Sequence, residues 1–160
     1  MMTTNQQQTL AAHIRANTDP AIVAAMPLRN DSIIAEWYNA DSTFVVWRSI
    51  LTPEQARNAI MGGDGLAQLD NLTIGKRDSL LWAFSGNTNP ANSTQRTAIE
   101  NLCGTQNSLK AAILEAQKRF ATKCEQIFAS GTGTSQKPGI LGWEGVLSTN
   151  DVSYALNNNP

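Results

Sequence analysis

The stretch Gly131-Thr-Gly133-Thr-Ser-Gln-Lys137-Pro-Gly139 carries two leading glycines, hydroxyl side chains and a lysine, the ingredients of a phosphate-binding loop. Such a loop follows a strand and opens a helix, whose N-terminal amides hold the anion. Here the glycines come at the end of what reads as the longest helix, where the dipole is negative, and Lys137 is followed by Pro138 rather than by Ser or Thr. The expected role is a helix C-cap at Gly131 and a flexible linker, with Gly131 and Gly133 as a hinge. His13 is the only histidine and has no acid or nucleophile near it in sequence, so it reads as a surface residue. Asp64 and Asp70 lack the spacing and the closing Glu of a calcium loop; Asp64 suits a turn or a helix cap. Cys103 and Cys124 are too few and too isolated for a disulfide framework or a thiolate zinc site and read as buried thiols. No catalytic residue, metal or cofactor is expected, and nothing in the sequence asks for an enzyme.

One charged group does suggest contact. Lys110, Lys118, Arg119 and Lys123 fall on or beside one side of the expected long helix, with Glu115 and Glu125 interspersed. The ordinary role is a solvated face; the sharper one is contact with nucleic-acid phosphates or an acidic partner. No aromatic residues are interleaved for stacking on single strands. A formal net charge of −1 gives no global field for holding DNA by counterion release.

The elements that must position these residues read as mostly helical. The chain has 160 residues, enough for one domain with its own core. Charged residues make up 16%, against a usual value of about 25%. Asn, Gln, Ser and Thr take their place, as in SGNTNPANSTQ, which suggests a surface used in assembly. The start MMTTNQQQTL lacks the basic and apolar regions of a signal peptide, and no apolar run approaches the roughly 20 residues of a membrane span. A soluble chain made inside the cell, with no membrane contact, is expected.

Leu10, Ala11 and Ile14 suggest a first helix after a frayed start. Pro20, capped by Thr18 or Asp19, opens a second that Pro27 stops. Asn30 caps a third bearing Ile33, Ile34, Trp37 and Tyr38 on one stripe. STFVVWRSIL is β-branched and aromatic without helical period and reads as extended, a buried helical turn being the alternative. Thr52, Pro53 and Gln55 form a capping box, and Gly62 and Gly63 end that helix. Leu66 to Phe84 reads as a helical stretch with Leu66, Leu69, Leu72, Leu80, Leu81 and Phe84 as core candidates, interrupted near Gly75, with Thr73 as a second cap. A loop and a helix closed at Gly104 follow. The spine is a long helix from Ser108 through Ala129, striped by Leu109, Ile113, Ala116, Phe120, Cys124 and Ile127, about 33 Å long at ~1.5 Å per residue.

The predicted fold class is all-α. A helical bundle over residues 1–130 surrounds one long C-terminal helix, and an extended glycine-rich C-terminal arm covers 131–160. The arm carries Ile140, Leu141, Trp143, Val146 and Leu147, then a short helical turn capped by Asn150 and bearing Tyr154. A Trp in such a stretch must be buried somewhere. It can pack back on the bundle, or dock on a neighbour by strand addition or in an apolar pocket.

AEWYNADSTFVVWRS, then a helix ending KRFATKCEQIFASGTGT, then GWEG and LSTNDVSYAL, form an ordered set of motifs. The set covers most of the chain from about Ala21 and is densest over Lys118–Leu156. It resembles a group of small tailed-bacteriophage proteins of the head–tail adaptor type, also called neck or head-completion proteins. The resemblance implies a non-enzymatic virion protein made in the host cytoplasm. It would form a ring, commonly a dodecamer, joining the portal protein to the tail or nozzle protein and continuing the DNA channel. By the same analogy Trp143, Val146, Leu147 and Tyr154 dock on a partner, and the basic residues face channel DNA or an acidic neighbour. Rival readings are another phage assembly role, such as tail completion or scaffolding, and a small helical regulator or enzyme with an unrecognised site.

Overall fold

Start signals written in the sequence place most of the helices in the computed structural model, which describes residues 2–158. Helix α1 (Thr4–Arg15) begins at a capping box in which Thr3 and Gln6 exchange side-chain and backbone bonds, where a frayed start is expected from the sequence. Asp19 accepts from the Ala21 amide and opens α2 (Pro20–Ala25). Asn30 accepts from the Ile33 amide and opens α3 (Asp31–Asn39). The β-branched run after it is extended, as strand β1 (Asp41–Trp47). Thr52 and Gln55 form the expected box before α4 (Pro53–Met61). Two short helices follow, α5 (Gly65–Asp70) and α6 (Ile74–Ala83); the break falls just before Gly75, with Thr73 at the cap position but making no side-chain cap bond. Helix α7 (Ser93–Cys103) ends at Gly104, whose φ of +58° suits glycine.

The long helix expected over residues 108–129 is absent, and the all-α fold class falls with it. Its residues form α8 (Asn107–Ala116), strand β2 (Lys118–Thr122) and α9 (Lys123–Ile127). A helix running on past Ala116 would need the carbonyls of 116, 117 and 118 for the amides four residues later. Arg48 has taken them: its Nε donates to the Ala116 and Lys118 carbonyls at 3.0 and 3.1 Å, and its backbone amide donates to the Gln117 carbonyl at 2.8 Å. A new helix then starts at Thr122, which exchanges capping-box bonds with Glu125. Phe120, expected in the core stripe, is 56% exposed, and its neighbour Ala121 is buried instead.

The chain is therefore mixed α/β, about 56% helix and 12% strand, with two small antiparallel sheets. One pairs β1 with β2; the other pairs β3 (Ala129–Ser130) with β4 (Ile140–Leu141), Ala129 opposite Leu141 and Ser130 opposite Ile140. The last element is α10 (Thr149–Asn158), opened by reciprocal bonds between Ser148 and Asp151 rather than by Asn150.

The structure divides into two compact units. The first runs up to Val45 and resumes at Phe120; the second is Val46–Arg119. The core of the first joins Leu10 and Ile14 of α1, Ile22 of α2, Ile34 and Tyr38 of α3, Cys124 of α9, Leu147, and Val152, Ala155 and Leu156 of α10. The second packs Leu51, Ala56 and Ile60 with Leu69, Leu80 and Phe84, and with Ile99, Leu109 and Ile113. The segment expected to project as an extended arm is thus built into the first unit. Arg15 donates to the Leu156 carbonyl at 3.0 Å, and Arg29 to Asn157 Oδ1 at 2.9 Å. Its last two residues, Asn159 and Pro160, lie outside the described residues, as does Met1.

The glycine-rich stretch is docked too. The Val45 amide donates to the Gly133 carbonyl, and the Gly139 amide donates to the Val45 carbonyl, both at 2.8 Å. The Phe44 ring lies against the same two glycines: a Cβ on Gly133 would sit 2.2 Å from Phe44 Cδ2, and one on Gly139 would sit 2.5 Å from Phe44 Cε1. Gly133, expected as part of a hinge, is buried, with φ of +66°; Gly131 is exposed, with φ of +97°. Gly133→Ala adds left-handed backbone strain of about 1–2 kcal/mol to an overpacking cost of about 1–3 kcal/mol. A lowered urea midpoint for the full chain is the expected result; an unchanged midpoint would show that Phe44 does not hold this backbone.

Candidate functional site

Between β4 and α10 the chain makes a turn whose backbone is fixed by side chains from two helices. Asn39, at the end of α3, donates from Nδ2 to the Leu147 carbonyl at 2.8 Å and accepts the Leu147 amide on Oδ1 at 2.7 Å. This is the bond pair that a strand neighbour would make, supplied by one amide side chain. On the other side, Glu125 of α9 is almost wholly buried and accepts the Gly145 amide on Oε1 at 3.4 Å, while Oε2 accepts the Thr122 amide at 2.9 Å. Leu147 enters the core, and Trp143 stacks edge-on against Phe128 with ring centroids 6.0 Å apart. Gly145 takes a φ of +153° beneath the Trp143 ring. Val146, held between pinned residues 145 and 147, is 81% exposed.

The four residues expected to dock on a partner therefore divide. Trp143 and Leu147 face inward and anchor the turn, while Val146 and Tyr154 face solvent. Asn39 and Glu125, which set the turn, were not among the expected site residues. For Glu125 a signal was present: Thr-x-x-Glu from Thr122 marks a helix start inside the supposed long helix. For Asn39 no local signal exists, because its partner lies 108 residues away.

The four basic residues do not share a helix face. Lys110 is on α8, Lys118 and Arg119 are on β2, and Lys123 opens α9. Lys118 is paired with Glu115 at 2.9 Å, and its ammonium lies 5.9 Å from the Trp47 ring centroid. Lys123 sits over Trp37 at 3.7 Å. Together with His13, Lys123 and Trp37 line a cleft of about 520 Å³ in the first unit. Two of its lining side chains, Ser42 and His13, are hydrogen-bonded within the fold. Ser42 Oγ donates to the Ala121 carbonyl at 2.8 Å, and Asn17 Nδ2 donates to the Tyr38 hydroxyl at 3.0 Å. The Tyr38 hydroxyl also hydrogen-bonds to His13 Nδ1, at 2.8 Å. Among the described residues no group of three His, Cys, Asp or Glu side chains comes together as a metal site.

A second surface lies in the second unit. Ile60, Leu69 and Phe84 form the floor of an apolar groove of about 390 Å³, and Met61, Leu66 and Leu81 stand at its sides, each roughly half exposed. Leu66 and Leu81 were expected in the core; their exposure is what opens the groove. Arg57 of α4 is the one charged residue among its described lining. No described helix is long and apolar enough to cross a membrane. Comparison with protein-family models, curated proteins and solved structures finds no match for this chain.

Replacing Asn39 by Ala leaves a buried amide and carbonyl at Leu147 unpaired, at a cost of about 1–3 kcal/mol. Hydrogen exchange at the Leu147 amide should accelerate at least tenfold, and unchanged protection would mean that the turn is held by something else. Burial pushes the Cys124 thiol up to about 12, with the Glu125 and Asp151 carboxylates adding to the rise. Burial also pushes the Tyr38 hydroxyl up to about 12, against the lowering effect of the Asn17 hydrogen bond. Both groups are neutral when protonated, so the folded chain holds their protons more tightly than the unfolded chain does. Their contribution is full below the ordinary values of 9.0 and 10.0 and is lost as pH rises towards about 12. A melting temperature that falls as pH is raised from 9 towards 12 is expected, and one that stays level over that range would show that these two buried protons do not stabilise the fold.

Proposed function

We propose that this chain is a structural, non-catalytic virion protein of a tailed bacteriophage, a head–tail adaptor whose copies form a ring between portal and tail around the DNA channel. The observation that carries this reading is Val146. An apolar side chain left 81% exposed, on a backbone fixed at both neighbouring residues, is presented to another surface without further ordering. The apolar groove of the second unit is a receiving surface of the kind that assembling subunits bury on association. The motif resemblance supplies the phage context, and the weakly charged, amide-rich composition suits a chain whose surface is largely interface.

The contact surface belongs to the folded first unit and is not an independent arm. Deleting residues 131–160 would remove Leu147, Val152, Ala155 and Leu156 from the core, so point substitutions, not truncation, are the proper test of contact. Native mass spectrometry of the full chain, alone and with the portal protein of the same phage, tests the reading. A saturable many-copy complex with the portal is expected. Absence of any association across a range of salt concentrations would refute the adaptor role.

A further inference from the structure

Where the C-terminal end of α6 meets the side of α7 and the polar loop between them, the second unit has a pocket of about 260 Å³. Ile99 and Leu102 of α7 give it an apolar wall, and Ile99 belongs to the core of that unit. Trp82, in the last turn of α6, lines the same pocket with 78% of its surface open to water. Tryptophan has much apolar surface to hide and is mostly buried on average. None of the described lining residues is charged.

The polar side chains of the lining are all hydroxyls or carboxamides: Asn87, Thr88 and Gln95. Thr88 is fixed by its backbone, whose amide and carbonyl pair with Leu51 at 3.0 and 2.9 Å. Its Oγ1, however, is buried with no hydrogen-bond partner, a costly state for a hydroxyl. Gln95 Oε1 accepts the Asn89 amide at 2.9 Å, which orients the side chain and leaves its Nε2 as a donor.

We propose that this pocket binds a neutral sugar, one hexopyranose ring stacked on the Trp82 indole and hydrogen-bonded by Asn87, Thr88 and Gln95. The lining selects that chemistry. An aromatic face is electron-rich, and the C–H groups on one side of a pyranose present a flat, weakly positive surface to it. Sugar hydroxyls both donate and accept, as do the hydroxyl and carboxamides that face them. A lining without charge offers no partner for a phosphate, a carboxylate or a cation, which disfavours a nucleotide on the same indole. The volume lies just under the roughly 300–1,000 Å³ usual for small-molecule pockets, so the pocket suits one ring rather than a long chain. A turn of Thr88 about χ1 leaves its bridge to Leu51 intact and brings the hydroxyl to the ligand. The site involves no contact with the portal or between copies, so it stands apart from the adaptor reading.

The test uses full-length protein labelled with nitrogen-15. It is titrated with the methyl glycosides of glucose, galactose, mannose and N-acetylglucosamine while the four indole N–H signals are followed by NMR. The Trp82 signal is the one lost in Trp82→Phe. A saturable shift of that signal with at least one glycoside is expected, with a dissociation constant on the order of 1 mM. Trp82→Ala should weaken binding about tenfold, read by saturation transfer to the sugar protons, with the fold kept because the ring is exposed. Thr88→Val should weaken binding about threefold without lowering the melting temperature, since the hydroxyl it removes has no partner within the chain. A Thr88 that served only the fold would leave the affinity unchanged and overturn its part in the site. The pocket's assignment is overturned if no glycoside moves the Trp82 signal up to about 50 mM, or if Trp82→Ala binds as the parent does. Uridine moving that signal where the glycosides do not would make this a base-stacking site and overturn it equally. If the glycosides fail and Trp82→Ala abolishes portal binding, the indole belongs to a protein interface: this inference falls and the adaptor reading stands.

Discussion

The side-chain amide of Asn39 stands in for a missing strand. A residue in an irregular turn leaves its amide and carbonyl without regular partners, and burying them unpaired is costly. Asn39 answers both groups of Leu147 at once, so the Leu147 side chain can enter the core of the first unit. With Leu147 fixed, α10 follows directly, started by Ser148 and Asp151, and Val152, Ala155 and Leu156 complete the same core. The C-terminal quarter of the chain is thereby joined to its N-terminal helices. Val146, the residue before Leu147, is left 81% exposed.

Glu125 plays the complementary part. A buried carboxylate is tolerable only when hydrogen-bonded, and this one accepts from Thr122 as a helix cap and from Gly145 as an anchor of the turn. One residue thus starts α9 and shapes the surface. Phe44 does similar work on the glycine loop. Its ring excludes side chains at 133 and 139, while Val45 holds their backbone, so a segment with the composition of a linker becomes a fitted part of the first unit. The glycines answer a need for close approach rather than for motion.

These supports change what the surface can do. A flexible arm that orders on docking would spend part of its contact energy on that ordering. A turn already fixed by Asn39, Glu125 and Trp143 does not. The chain also puts its exposed apolar area on regular elements as well as on the turn: Met61, Leu66 and Leu81 stand on α4, α5 and α6, held by a floor of buried side chains. These surfaces are shaped by the fold itself.

Most elements begin where neighbouring residues dictate. Asp19, Asn30 and Thr52 cap helices because capping is a contact between residues two or three apart, and β1 is extended because β-branched and aromatic side chains favour it. The apolar stripe of residues 108–129 keeps a helical period on both sides of a break and so imitates one long helix. The box from Thr122 to Glu125 was visible, but nothing local showed that Arg48 would take the carbonyls of residues 116 to 118. The candidate site was legible only in part. Trp143, Val146, Leu147 and Tyr154 stood out as apolar residues in a polar tail, but which of them faced inward depended on Asn39, 108 residues before the turn. Tertiary structure alone decided those outcomes, because a bond between residues far apart in sequence leaves no periodicity and no composition to read.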